Sequence, residues 1–156
     1  MLKNLLLLLF ILSTQLTIAQ TVESFLSGAT ITDISKDGND IWVTTDGRGI
    51  YKYSQDTDSW KNYSTQKKNL KHDFFYCISS SSKYVWAGSS DGLFIFDKRR
   101  KKWSKRKFGK GGQLGNWIRS LEYDTHDGVL WIGRFRNLTK FDLRKKRFTD
   151  FDLTVG

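Results

Sequence analysis

Short apolar and aromatic runs alternate with polar turn sequences along most of this chain. The stretch IWVTTDGRGIYKY at 41–53 is representative, with β-branched and aromatic residues on both sides of Gly-Arg-Gly. Such runs, bounded by Asp-Gly, Asn-Asp and Ser clusters, predict β-strands joined by tight turns. After residue 20, no window keeps the 3.6-residue apolar period of an amphipathic helix. The pattern therefore predicts an all-β protein.

The runs repeat with a period that is marked by tryptophan. Trp42, Trp86 and Trp131 follow one another at intervals of 44 and 45 residues. Each tryptophan lies in the second of four predicted strands. A polar turn follows it, and the third strand then reads GIYKYS, LFIFDK or LTKFDL. The sequence thus predicts three units of four strands, at 29–66, 73–110 and 116–153.

Four-stranded units at this period are typical of the blades of a β-propeller. One small twisted sheet cannot bury both of its faces alone, whereas blades packed face to face bury them against each other. We therefore expect Trp42, Trp86 and Trp131 to be blade-packing residues. Because a closed propeller has about 4 to 8 blades, three blades form only part of a ring, and further blades would come from a longer chain or from a second copy.

The motifs IWVTTDGRGIYKYS, VWAGSSDGLFIFDK and LWIGRFRNLTKFDL resemble the two-component regulator propeller repeat. That repeat builds the exported sensor region of many bacterial hybrid two-component systems, notably in Bacteroidetes. The resemblance implies a sensory binding module that recognises a carbohydrate or another extracellular ligand. It also implies signalling through a downstream module that is not among these 156 residues.

The first residues predict export. MLKNLLLLLFILSTQLTIAQ has one early Lys, an unbroken apolar run from Leu5 to Leu12 and small residues before Gln20, which is the pattern of a secretory signal peptide. We expect a signal peptide at 1–19, a lead-in at 20–28 and a periplasmic or secreted location; an uncleaved anchor is the alternative. The apolar run is about half of the roughly 20 residues that a membrane span needs, so membrane contact is expected only through a segment beyond this sequence.

Strand alternation within a blade places the second-to-third turns and the loops between blades on one face of the propeller. The candidate ligand-binding residues on this face are Asp46, Arg48, His72, Asp91, Trp117, Arg134, Phe135 and Arg136. Two arginines and a phenylalanine at the turn of the third unit favour an acidic or planar ligand; ordinary divergence between the copies is the alternative. The segment 46–49 precedes a strand rather than a helix, so it is predicted to be a turn and not a phosphate-binding loop.

The chain is strongly basic, with 26 Lys and Arg against 16 Asp and Glu and a formal net charge of +10. The excess is concentrated at 98–102 and 144–147, which occupy equivalent third-to-fourth turns. Lysines beside outer strands prevent edge-to-edge pairing; attraction to an acidic polymer, such as an anionic polysaccharide, is the alternative. A nucleic acid partner is not expected, because the signal peptide directs the chain out of the cytoplasm.

No constellation of catalytic or metal-binding residues stands out in the sequence. His72 and His126 are predicted to lie on opposite faces, and no Cys or His cluster has metal-ligand spacing. Cys77, the single cysteine, lies between apolar residues and is expected to be a buried thiol. We therefore predict a protein that is not an enzyme and has no cofactor or metal. A secreted structural or protein-interaction propeller closed by self-association and a propeller lyase or hydrolase remain the alternatives.

Overall fold

Three four-stranded sheets follow one another along the chain in a computed structural model that describes residues 25–108 and 114–152. The first sheet comprises β1 (Thr30–Asp37), β2 (Asp40–Asp46), β3 (Ile50–Ser54) and β4 (Ser59–Tyr63). The second comprises β5 (Cys77–Ser80), β6 (Tyr84–Ser89), β7 (Gly92–Asp97) and β8 (Lys102–Arg106). After a single 3-10 turn (Leu114–Asn116), the third comprises β9 (Ile118–Asp124), β10 (Val129–Arg134), β11 (Asn137–Asp142) and β12 (Arg147–Asp152).

Each sheet is an antiparallel meander in which every strand pairs with its neighbours in the sequence. The all-β prediction is confirmed, and each sheet is one blade of a partial β-propeller. No helix within the described ranges is long and apolar enough to cross a membrane. The predicted signal peptide at 1–19, most of the lead-in at 20–28 and the ends of the second and third predicted units lie outside the described residues.

The connection between the first and second blades differs from the regular first strand predicted at the start of the unit 73–110. Regular pairing begins only at Cys77, because the preceding residues lie along the first blade instead. Phe74 forms an isolated bridge with Asp46, and the Phe75 amide donates a hydrogen bond of 3.1 Å to the carbonyl of Thr45. The segment that leads into the second blade therefore ties the two blades together before its own sheet begins.

The junction between the first two blades is an aromatic cluster. The ring of Trp42, which is 1% exposed, lies 5.3 Å from Phe96 and 6.2 Å from Trp103 of the second blade. Polar contacts join the same blades, since the Ile78 amide donates a 2.8 Å hydrogen bond to the Asp33 carboxylate. Trp42 thus lies on the side of its blade that faces the next blade.

The second and third blades meet in the same manner. Trp86 is fully buried, its ring lies 5.3 Å from Tyr123, and it shares an apolar cluster with Leu130 and Ile132. Cys77 belongs to this cluster and is 4% exposed, which confirms the prediction of a buried thiol. Its burial raises the pKa of the Cys77 thiol to about 12, so the unreactive neutral form dominates at neutral pH.

The third tryptophan faces away from the second blade. Strand alternation places Trp131 on the side of β10 opposite to Leu130 and Ile132, which pack against the second blade. Trp131 is half-buried and lies 6.2 Å from Phe151 of its own sheet, which is 40% exposed. We call the side of the third sheet that carries Trp131, Leu138 and Phe151 the open face.

Candidate functional site

The second-to-third turns and the loops between blades lie together and form what we call the loop face. In the first blade, the amides of Gly47 and Gly49 donate hydrogen bonds of 3.1 and 2.9 Å to the carbonyl of Asp73 in the following loop. In the third blade, the Phe135 amide donates a 3.1 Å hydrogen bond to the carbonyl of Trp117 in the preceding loop. These contacts hold each turn against an inter-blade loop.

The segment 46–49 is a turn between β2 and β3, as predicted. Gly49 has a φ of +76°, and a Cβ atom at this position would lie 2.1 Å from the carbonyl oxygen of Tyr63. Glycine is therefore required by the close approach of β4 and by the left-handed backbone. The two glycines of this turn serve the packing of the blade rather than a bound anion.

Two aromatic rings form an exposed platform on the loop face. Phe135 at the turn of the third blade stacks on Trp117, with ring centroids 5.7 Å apart and an angle of 9° between the planes. Phe135 is 50% exposed and Trp117 is half-buried. This pair, which we call the aromatic platform, brings together two of the residues that the sequence predicted for a ligand site.

The aromatic platform is extended by two residues that the sequence analysis did not select. The guanidinium of Arg119 lies 5.1 Å from the centroid of Trp117 and 5.8 Å from that of Tyr76. Tyr76 itself lies 6.1 Å from Trp117. Arg119 stands two residues after Trp117. Because residues two apart in a strand lie on the same side of the sheet, the sequence could have predicted that Arg119 lies beside Trp117.

A polar cavity of about 480 Å³ opens at the turn of the second blade. His72, Ser90, Asp91, Lys107 and Asn116 line it. It therefore brings His72 and Asp91, two predicted site residues, together between the two inter-blade loops. Asn116 immediately precedes Trp117, so the cavity and the aromatic platform are adjacent along the chain.

The charges of this cavity are set by its neighbours. Lys105 and Lys107 both form ion pairs with Asp91, and their hydrogen bonds keep the pKa of that carboxyl below its ordinary value. The ring of His72 stacks on Phe94 at 5.7 Å, and burial lowers the pKa of the imidazole. At neutral pH the cavity thus combines a neutral imidazole with a carboxylate that is already paired with lysines.

Arg134 does not lie at an exposed turn tip, which corrects the expectation from the sequence. Its side chain is 3% exposed, forms a 2.9 Å ion pair with Asp150 and donates a 3.0 Å hydrogen bond to the carbonyl of Gly115. Its guanidinium also lies 4.6 Å from the ring centroid of Phe108. Arg134 therefore holds the loop between the second and third blades in place, and Arg136 is the exposed arginine of this turn.

The remaining predicted residues lie at the first blade. Asp46 and Arg48 are both exposed. The Arg48 guanidinium folds back and donates a 3.3 Å hydrogen bond to the carbonyl of Ser27 in the lead-in. Arg48 thus contacts the start of the described chain, whereas Arg136 belongs to the turn that carries the aromatic platform.

The sheet topology defines the class of this chain, which is three blades of a β-propeller. Its structure is similar to the extracellular domain assigned to a one-component system of B. thetaiotaomicron, with a TM-score of 0.70 and 18% identity over 85% of this chain. The extracellular domain assigned to a hybrid two-component system of the same organism gives a TM-score of 0.63 and 24% identity over 76% of this chain. U3-55K gives a TM-score of 0.58 and 15% identity over 80% of this chain and 40% of its own length.

The chain spans 18% and 16% of the length of the two bacterial structures. The sequence matches no family model and no curated protein. At these sequence identities the structural likeness establishes the fold. The expected resemblance to the extracellular regions of bacterial two-component systems is thus confirmed at the level of the fold.

Proposed function

We propose that this chain is the ligand-binding part of an exported sensory propeller, and that it recognises a carbohydrate on its loop face. Three observations support the proposal: the signal-peptide pattern of the first residues, the likeness in fold to extracellular domains of two-component systems, and the aromatic platform. A downstream output module and a periplasmic or secreted location belong to the same proposal.

The aromatic platform carries the argument. Phe135 lies on a surface turn and leaves half of its side chain exposed instead of burying it in the core. Its stacking on Trp117 fixes the ring in one orientation. A fixed aromatic face presents apolar area at little cost in conformational entropy. The C–H groups on the face of a pyranose ring can pack on such a surface, while the hydroxyl groups around the ring remain free to form hydrogen bonds.

Polar groups next to the aromatic platform would then select the sugar. Arg119 and Arg136 are exposed cations beside Trp117 and Phe135, and they favour a sugar with a carboxylate or sulfate. The cavity of His72 and Asp91 offers an imidazole and a carboxylate for neutral hydroxyls. An acidic oligosaccharide is therefore the ligand whose chemistry fits the loop face best.

Binding of acidic and neutral oligosaccharides to the full chain, measured by calorimetry, tests this proposal. Phe135→Ala should weaken binding about tenfold or more, because truncating an aromatic hot spot costs about 2 kcal/mol. Phe151→Ala is the matched control, since Phe151 is 40% exposed, lies on the open face and packs on Trp131 rather than on the aromatic platform. Equal affinity of the Phe135 variant and the parent would refute a site at the aromatic platform.

A second proposal concerns the open face, which favours a propeller completed by further blades. Trp42 and Trp86 are each covered by the following blade, and Trp131 is the third residue of that series. We expect a further blade, from a longer chain or a second copy, to cover it. Light scattering coupled to size-exclusion chromatography should show self-association that Trp131→Glu abolishes and that Lys145→Glu, in the exposed third-to-fourth turn, does not; a monomer with native stability would rule out self-association.

A further inference from the structure

The second and third blades diverge toward their outer strands and leave a groove. Their inner strands meet in the cluster of Trp86, Leu130 and Ile132, whereas β8 and the turn before β12 stand apart. The space between them has a volume of about 640 Å³, which is within the range of about 300–1,000 Å³ that is typical of small-molecule sites. We call it the outer groove; it lies outside the set of residues that forms the loop face.

One substitution between the repeats lies at the wall of this space. Trp103 pairs with Phe96 across β7 and β8, and Phe148 pairs with Phe141 at the equivalent position of the third blade. Trp103 reaches across the first junction to Trp42. Phe148 stacks on Phe141 of its own sheet, with centroids 4.0 Å apart, and reaches across the second junction to Phe108 at 5.8 Å. The ring at this position of the third blade is therefore smaller than the indole of Trp103.

The floor of the outer groove is apolar. It is formed by Ile95 and Trp86 of the second blade and by Phe141, Leu143 and Phe148 of the third. Trp86 is fully buried, yet its indole N–H has no hydrogen-bond acceptor within the described part of the chain.

The rim of the outer groove is cationic. Five Lys and Arg residues line the groove, and Asp97 is the one acidic residue among its lining residues. Arg100 pairs with Asp97 and Lys105 pairs with Asp91. Lys102, Arg106 and Lys146 supply the remaining positive charge, and the guanidinium of Arg106 lies 3.7 Å from the ring centroid of Phe148, at the boundary of floor and rim.

We propose that the outer groove binds a small amphipathic organic anion. The apolar body of this ligand packs on Ile95, Phe141 and Leu143, and its carboxylate, sulfate or phosphate lies against Lys102, Arg106 and Lys146. Charge complementarity selects an anion over a cation or a neutral amphiphile. The concave shape between two strands fits a single molecule better than the flat surface of a bilayer. This site is independent of the sugar site on the loop face.

Titration of the full chain with anilinonaphthalene sulfonate, followed by dye fluorescence, tests the proposal. Phe148→Trp introduces the ring that Trp103 has at the first junction. The larger ring should fill part of the outer groove and weaken dye binding about tenfold. Lys102→Gln/Lys146→Gln should weaken it about three- to tenfold, because each exposed ion pair contributes little. The two lysines are exposed, so this double variant keeps the fold even if the tryptophan variant does not.

Two control variants isolate the outer groove. Lys145→Gln removes an exposed cation from the same turn as Lys146 and should leave binding unchanged. Phe151→Ala tests the open face and should also leave it unchanged. Dodecyl sulfate should displace the dye, whereas dodecyltrimethylammonium and vesicles of anionic phospholipid should not.

Each contrary result has a definite meaning. Dye binding that survives both Phe148→Trp and the double lysine variant would overturn the proposal. Loss of binding in Phe151→Ala would place the dye on the open face. Displacement by anionic vesicles would replace a small amphiphile with a membrane surface as the partner.

Discussion

Gly88 offers a direct measure of how tightly the second and third blades are joined. A Cβ atom added at Gly88 would lie 2.5 Å from the Cys77 sulfur and 2.5 Å from Cγ2 of Ile118. Ordinary contacts of such atoms are about 1 Å longer, and both neighbours are buried, Cys77 on the same sheet and Ile118 on the third. Gly88→Ala must therefore push the blades apart or distort β5.

The expected cost follows from two opposing effects. Overpacking of a close-packed core costs about 1–3 kcal/mol, and here two fixed neighbours place the cost toward the upper end. Replacing glycine restricts the unfolded chain and returns about 0.4–1 kcal/mol. Gly88 is not among the glycines with positive φ, so no backbone strain is added. We expect Gly88→Ala to lower the free energy of unfolding by about 2 kcal/mol.

Urea denaturation followed by tryptophan fluorescence measures this change, with Gly133→Ala as the matched control. Gly133 occupies the equivalent position in the third blade, but its added Cβ would meet mainly the Ser120 hydroxyl, which can rotate away. The control should cost less than about 0.5 kcal/mol. In a Cys77→Ala background, Gly88→Ala should cost less, since one clash is removed.

Two results would contradict this reasoning. A Gly88→Ala protein as stable as the parent would mean that the blades separate easily, as loosely coupled domains do. An equally large loss for Gly133→Ala would mean that another blade already covers the open face.

Further predictions concern buried polar groups. Asp150→Ala should lower the free energy of unfolding by about 1–2 kcal/mol, because the buried guanidinium of Arg134 loses its counter-ion while the Asp150 carboxylate that is removed was 53% exposed; a change below about 0.5 kcal/mol in urea melts would contradict this. Burial raises the pKa of Tyr63 to about 12. The contribution of Tyr63 to stability is therefore complete below its ordinary pKa of about 10 and is lost as the pH rises through about 12. Thermal melts of Tyr63→Phe should show a smaller loss of stability over this alkaline range. Burial lowers the pKa of His72. The contribution of His72 to stability is therefore present above about pH 6.5 and is lost as the pH falls below that value. His72→Phe should therefore reduce the loss of stability as the pH falls below 6.5, and an unchanged pH profile would count against a buried neutral imidazole.

The blade architecture could be predicted from the sequence because the information is local. Each strand is a short alternating run, most turns contain an Asp or a Gly, and the tryptophan recurs at a nearly constant interval. Three copies of one pattern in phase specify a repeated sheet more strongly than any copy alone. The segment before β5 was harder to predict, because its position depends on the bridge between Phe74 and Asp46 of the preceding blade.

The candidate site was harder to predict because it depends on contacts between blades. Arg134 was assigned to an exposed turn, yet it stands two residues after Ile132 and so lies on the buried side of β10. Its counter-ion, Asp150, lies two strands away within the sheet. The stacking of Phe135 on Trp117 requires a loop to return to a turn, and no residue pattern encodes that distance.

The constant orientation of the three tryptophans gives the chain a direction. Each junction joins the tryptophan side of one blade to the opposite side of the next, so the two ends of the arc are different surfaces. A second copy that covers Trp131 must therefore present its first blade, in a head-to-tail contact. Such contacts close only when the rotation per subunit divides a full turn. Two arcs would then form a six-bladed ring with two-fold symmetry, whereas a mismatched rotation would extend into a helical filament.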